Sequence, residues 1–257
     1  CGGLEMSPRE LVKRIRSLKI EWIAITDHNS MANCDAYEKV ALDAGLSFTW
    51  GVEIQTAEEV HLLAYFDDPD AARCFDRQLY QSLLPVHNDS AFFGDQAVID
   101  ADENILRFEE KALINSSVWD IETCFNEVSA YGGICYPAHV DAPANSILSQ
   151  LGFVPEMPVF EMYGITAGLD VSSFIDLHPY FRGKALIRSS DAHYLDDLGS
   201  GVSHFYIDQP SCREMLLAAR GEAERKIEGA YDPGALGFGV ENSGSPPAEP
   251  NFGIPTK

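Results

Sequence analysis

The chain has 257 residues, 46% hydrophobic and 11% aromatic, which is enough material for one sizeable core. Lys and Arg total 18 against 40 Asp and Glu, a formal charge of −22. Two or three divalent cations would leave that field negative, which disfavours a long nucleic acid gripped through its phosphates but not a small phosphorylated molecule held by a local metal site. The six cysteines are scattered without a CxxC pair and read as reduced thiols of a cytoplasmic protein. There is no basic-then-apolar signal segment, and no apolar run nears the roughly 18 residues of a membrane span.

In chain order, Ser7-Pro8-Arg9-Glu10 predicts a helix start with a capping box, and Leu11, Ile15 and Leu18 supply its apolar stripe. A strand over 20–26 follows and ends in Asp27-His28-Asn29. Tyr37, Val40, Ala41 and Ala44 recur at helical spacing, with Gly45 placed to end that helix. A strand over 47–52 terminates in Glu53, and VHLLAYF over 60–66 predicts a short buried strand. His61 inside that run reads either as a hydrogen-bonded core histidine or as a ligand; Glu53 one strand earlier favours the ligand.

A helix over 70–84 breaks at Pro85. A loop and a hairpin, 96–101 and 105–108, then interrupt the strand–helix rhythm, so 85–118 is an insert that serves as a lid, a specificity element or a surface embellishment. The rhythm resumes with a helix over 120–131 ended by Gly132-Gly133, and a strand over 134–137 that delivers His139 and Asp141. A short helix over 145–151, a strand over 159–163 carrying Glu161 and a helix-leaning stretch over 171–181 come next. Strands over 184–190 and 201–207 and a helix over 210–220 complete a domain spanning 1–228. Residues 229–257 are dense in Gly and Pro without periodicity, the composition of a disordered tail.

Three apolar runs break off in the same way: IAITDH over 23–28, ICYPAH over 134–139 and ALIRSSDAH over 185–193. Short apolar strands alternating with helices predict a parallel α/β sheet. Ligand-type residues follow at least four strands, namely His28, Glu53, His139, and Asp191 with His193. That distribution favours a barrel, in which all strand ends face one mouth. Histidines with carboxylates and no cysteine suit zinc, manganese or iron, and a carboxylate such as Glu53 can bridge two cations. The plainer alternative is that these residues cap strand ends. Arg188, Arg182 and Lys184, in and just before the strand feeding 185–193, are candidates to grip a substrate phosphate. Glu161 is a candidate to support the ligands from behind. His204 reads as structural, His87 as a solvated loop residue, His178 as a helix-end residue, and Asp196 and Asp197 as turn caps.

Thr26-Asp27-His28-Asn29-Ser30, Gly51-Val52-Glu53, Val60-His61-Leu62-Leu63, Pro137-Ala138-His139 and Ser189-Ser190-Asp191-Ala192-His193, in this order, resemble the PHP (polymerase and histidinol phosphatase) family over about residues 1–221. The resemblance implies a distorted (β/α)7 barrel and a site of two to three divalent metal ions that hydrolyses phosphoesters through a metal-bridging hydroxide. By matched position, His28, His139 and His193 hold one metal, Glu53 bridges two others, His61 binds the second and Asp191 the first. Glu53, Asp191 and His193 are then the catalytic set, with Asp27 orienting an imidazole. The family opens on a strand bearing Asp-x-His-x-His, and this sequence contains no such pair; the expectation is a barrel whose first strand is missing from this chain, with weak or no turnover. Two rival readings follow: a PHP module that binds metal or ligand without catalysis, and an amidohydrolase-type two-metal hydrolase.

Overall fold

The computed structural model describes residues 4–228; the tail expected over 229–257 lies outside them. A 3-10 turn at Leu4–Met6 leads into α1 (Pro8–Ser17), β1 (Trp22–Ile25), α2 (Cys34–Asp43), β2 (Ser47–Gln55), β3 (His61–Phe66) and α3 (Pro69–Ser82). The insert holds α4 (Ser90–Phe93), β4 (Ala97–Ile99) and β5 (Ile105–Phe108). Then come α5 (Ile121–Ala130), β6 (Ile134–Pro137), α6 (Ile147–Leu151), β7 (Met162–Ile165), α7 (Val171–Leu177), a 3-10 turn at Pro179–Phe181, β8 (Ala185–Arg188), β9 (His204–Tyr206), α8 (Cys212–Arg220) and β10 (Lys226–Glu228).

Most predicted elements form where the apolar periodicity put them, with ends shifted by a few residues. The seventh strand begins at Met162, later than expected, and α4 and β10 carry too little pattern to be read in advance. Gly45 and Gly132 leave their helices at φ of 77° and 76°, the left-handed conformation that glycine takes at no steric cost. Pro8 occupies the first turn of α1, but Ser7 makes no side-chain cap hydrogen bond, so the expected capping box is absent there. One forms instead at α6, between Ser146 and Ser149.

The expected all-parallel sheet is corrected. β1 pairs with β2 in parallel, whereas β3 runs antiparallel to both β2 and β6. The reason is the length of the β2–β3 connection: Thr56 N donates to Val60 O at 2.9 Å and closes a turn over 56–60. A parallel crossover needs a dozen or so residues. The order is β1-β2-β3-β6, with β7-β8, β4-β5 and β9-β10 as separate pairs. Val140 N donates to Gly164 O at 2.8 Å and links the end of β6 to β7.

β3 is buried along its whole length, as its apolar run after His61 requires, and β2 is buried from Thr49 onward. Tyr136, Tyr163, Phe66, Phe75 and Phe181 fill the main core. A smaller core joins Leu11, Val12 and Ile15 of α1 to Tyr37 and Ala41 of α2. No helix among the described residues is long and apolar enough to cross a membrane, and all five cysteines among them are free thiols.

Candidate metal centre

The ladder of β1 and β2 builds the centre. Beyond Ile25 the chain stays in register: Glu53 N donates to Asp27 O at 3.1 Å, Asn29 N donates to Glu53 O at 2.8 Å, and His28 faces Glu53 across a parallel bridge. On the other side of β2, the hairpin sets Gln55 opposite His61. Side chains alternate along a strand, so Glu53 and Gln55 share one face. Ala138 N donates to His61 O at 3.0 Å and brings His139 to the same end of the sheet.

Three imidazoles thereby surround one buried carboxylate. His28 Nδ1 lies 3.2 Å from Glu53 Oε2, while His61 Nδ1 and His139 Nε2 lie 3.2 and 3.3 Å from Oε1. His61 Nδ1 and His139 Nε2 are 3.2 Å apart, and His61 Nε2 is 3.4 Å from Gln55 Oε1. Burial acts to raise the Glu53 carboxyl, but hydrogen bonds from His139 and His61 and the fields of His61 and His28 outweigh it and hold the group well below the usual carboxylate range. His28 is lowered, chiefly by burial; for His139 the bond and charge of Glu53 overcome burial and raise it.

Donor atoms of His28, Glu53 and His61 all lie within 4.8 Å of one another. His139 Nδ1 is buried with no hydrogen-bond partner, and His28 Nδ1, although 3.2 Å from Glu53 Oε2, makes no hydrogen bond either, a cost that a cation would relieve. Nitrogen and carboxylate donors around lone pairs left without protein partners fit a divalent transition metal. Asn29, His139 and Asp191 all sit at positive φ, of 50°, 26° and 46°. Such backbone is uncommon for residues other than glycine and gathers at functional sites.

The remaining predicted residues separate. Asp191 and His193 follow β8 on the wall of the same cavity of about 1710 Å³ as His28 and Glu53. They act on His139 and His28 respectively through charge. His193 is half exposed; its Nδ1 lies 3.0 Å from Asp191 O, and Asp197 accepts from His193 N and Tyr194 N as a turn cap. Arg188 lines the cavity, but its guanidinium donates to the carbonyls of Thr166, Ala167 and Leu169.

Arg182 and Lys184 do not line the cavity. Arg182 pairs with Asp176 at 3.7 Å, and the Lys184 ammonium sits over the Tyr180 ring. Glu161 pairs with Arg220 of α8 at 2.9 Å and is likewise absent from the cavity wall. Asp27 accepts from Asn33 Nδ2 at 3.3 Å, so its hydrogen-bond partner is an amide in place of the expected imidazole. Asn29 and Gln55, which tie the candidate ligands together, stand outside the set expected from the sequence; their signals are an asparagine directly after His28 and an amide two residues beyond Glu53.

An α/β protein with a buried cluster of histidines and a carboxylate at its strand ends is the class that these features define. The PHP domain family model matches residues 5–150, more than half of the chain, and the chain belongs to that family.

Endonuclease Q of Pyrococcus furiosus is similar in structure, with a TM-score of 0.65 and 15% identity over 88% of this chain and 54% of that one. An endonuclease Q complex with a 27-mer duplex bearing an abasic lesion gives 0.64, again at 15% identity, over 88% of this chain and 55% of that one. An amidohydrolase of Chromobacterium violaceum with bound sulfate gives 0.50 at 15% identity, over 88% of this chain and 93% of that one. In sequence, the uncharacterized protein YqxK of Bacillus subtilis (strain 168) is 29% identical over 114 residues, 41% of this chain and 28% of that protein. The chain thus spans little more than half of endonuclease Q and under a third of YqxK.

Proposed function

We propose that the chain is a metal-dependent phosphoesterase acting on a small phosphorylated metabolite or short nucleotide. The observation that carries this reading is the Glu53 carboxylate, with Oε2 turned to His28 and Oε1 to His61 and His139. That is a disposition suited to serving two cations. His28, Glu53, His61 and His139 would hold two to three ions of zinc, manganese or iron, with Asp191 and His193 approaching from the β8 side. Such ions, when bound, polarise a phosphoryl oxygen and acidify a water. Arg188 keeps Nε–H and one Nη2–H free of its carbonyl partners and can turn them to a phosphate oxygen.

The cavity wall carries Asp27, Asp95, Glu103, Glu109 and Asp191 against Arg188 and Lys19, a balance that repels an extended phosphate backbone. Endonuclease Q, of which this chain spans 55%, binds duplex DNA; the case against a long nucleic acid here rests on charge, that of the cavity wall and the −22 of the whole sequence. Residues 1–228 constitute the catalytic domain in this reading. In this reading the sheet β1-β2-β3-β6 and the pair β7-β8 would supply six staves of the distorted (β/α)7 barrel, and the cavity is lined by Ile23 and Ile25 of β1 and by Ile187 and Ser189 at the β8 end.

The test is metal content by elemental analysis together with hydrolysis of phosphomonoesters, short oligonucleotides, duplex DNA and amides, on this chain and on one given a leading strand with a His-x-His pair. Two to three equivalents of metal and phosphoester turnover in the extended chain support the reading. Metal without turnover favours the binding module, amide turnover the amidohydrolase type, and no metal in a folded extended chain refutes the metal centre.

A further inference from the structure

Asn29 is fully buried, stands at φ 50°, and uses its whole side chain. Its Oδ1 accepts from Gln55 N at 2.9 Å, and its Nδ2 donates to Leu113 O at 2.8 Å and Asn115 O at 2.9 Å. With the bond from its own N–H to Glu53 O, one residue joins three pieces of chain: the loop bearing His28, the strand bearing Glu53, and the last stretch of the insert. That stretch is itself fastened to β2. Ser117 N donates to Gln55 O at 2.8 Å, and Gln55 Nε2 donates to Ser116 Oγ at 3.2 Å, while the other end of the same amide, Oε1, faces His61 Nε2. The insert is anchored in turn through Gln96, whose Oε1 accepts from Leu113 N at 2.8 Å.

We propose that Asn29 is a positioning residue through which the insert, by its strap at 113–117, sets the geometry of the metal centre. The inference rests on the metal reading above. Its physical basis is that a ligand's donor strength and direction depend on what fixes its backbone and its far side. Here His28 is fixed through the neighbouring Asn29, and His61 through Gln55, and both amides bond to the strap. The insert is therefore a clamp on the centre, a role distinct from a lid over it.

Two substitutions separate this from ordinary structural support. Asn29→Gly keeps the positive φ and removes every side-chain bond. Asn29→Asp keeps the shape and the bond from Gln55 N but turns an acceptor toward the two strap carbonyls; its added negative charge would by itself tighten cation binding. The measurement is Co(II) titration of the full chain, reading affinity and the visible ligand-field spectrum, with thermal unfolding alongside and Phe92→Ser, on the exposed part of the insert, as control.

The expected result is an altered spectrum and about 10–100-fold weaker Co(II) binding in both Asn29 variants, with Phe92→Ser unchanged. Wild-type affinity and spectrum in Asn29→Asp overturn the proposal, whatever happens to the unfolding temperature, and that variant decides the matter if Asn29→Gly does not fold. A folded wild-type chain that binds no Co(II) overturns this inference by itself, and metal content of the chain extended with the His-x-His strand then decides the metal reading separately.

Discussion

Replacing Asp76 by asparagine should stabilise the folded chain at neutral pH and flatten its stability between about pH 4 and about pH 6. Asp76 lies on α3 and accepts a hydrogen bond from Met31 N at 2.7 Å, which holds the segment following the His28 loop. Burial pushes its carboxyl up from 3.8 to about 6; the Met31 bond opposes this, Glu109 adds to it, and Arg107 and Arg77 pull back. Because the folded value lies above the unfolded one, the folded state binds the proton more tightly. The associated stability is complete below the unfolded value and is lost as pH rises through about 6. The gap corresponds to on the order of 3 kcal/mol. Asparagine keeps the Oδ acceptor for Met31 N and carries no charge to bury. Urea unfolding of both proteins from about pH 4 to about pH 8 measures the difference directly, and other titrating groups cancel in it. A difference that stays flat with pH, or an asparagine variant less stable at neutral pH, would refute the argument.

Glu53→Gln should remove the anion shared by the three imidazoles and weaken metal binding well beyond the roughly 10–100-fold typical of an outer hydrogen-bonding partner. Zinc or manganese at a hundredfold excess over Kd should stabilise the parent by about 2.7 kcal/mol, and thermal shifts should show this gain lost in the variant and reversed by chelator in the parent. Gly164→Ala would place a Cβ 3.0 Å from His139 N and 3.2 Å from Ala138 Cα. A cost of about 1–3 kcal/mol is expected, together with weaker metal binding as His139 is pushed aside; equilibrium unfolding and metal titration check the two. In a Cys1→Ser background, a thiol reagent should label Cys74 first, since Cys34, Cys124, Cys135 and Cys212 are buried and burial pushes the Cys135 thiol up to about 12. Early labelling of any of those four by peptide mapping would contradict the packing.

What the sequence determined alone is the local grammar of the site. An apolar run that stops at a histidine or acid encodes both a buried strand and the group at its end, because burial of the run leaves the first polar residue at the sheet's rim. His28, Glu53 and His139 were legible for that reason, His61 through Glu53 one strand earlier, and α1, α2 and α5 from their helical stripes. Tertiary structure decided whatever depends on distance across the chain. β3 reverses because a turn over 56–60 is too short to cross back, although its apolar run reads the same in either direction. Glu161, Arg182 and Lys184 are polar residues near strands, but Arg220, Asp176 and Tyr180 take them up away from the cavity. Asn29 is one asparagine among several until the fold brings Leu113 and Asn115 to within hydrogen-bond reach, more than eighty residues along the chain. Periodicity records which face of an element is buried; the partner each polar group meets is settled when distant segments pack.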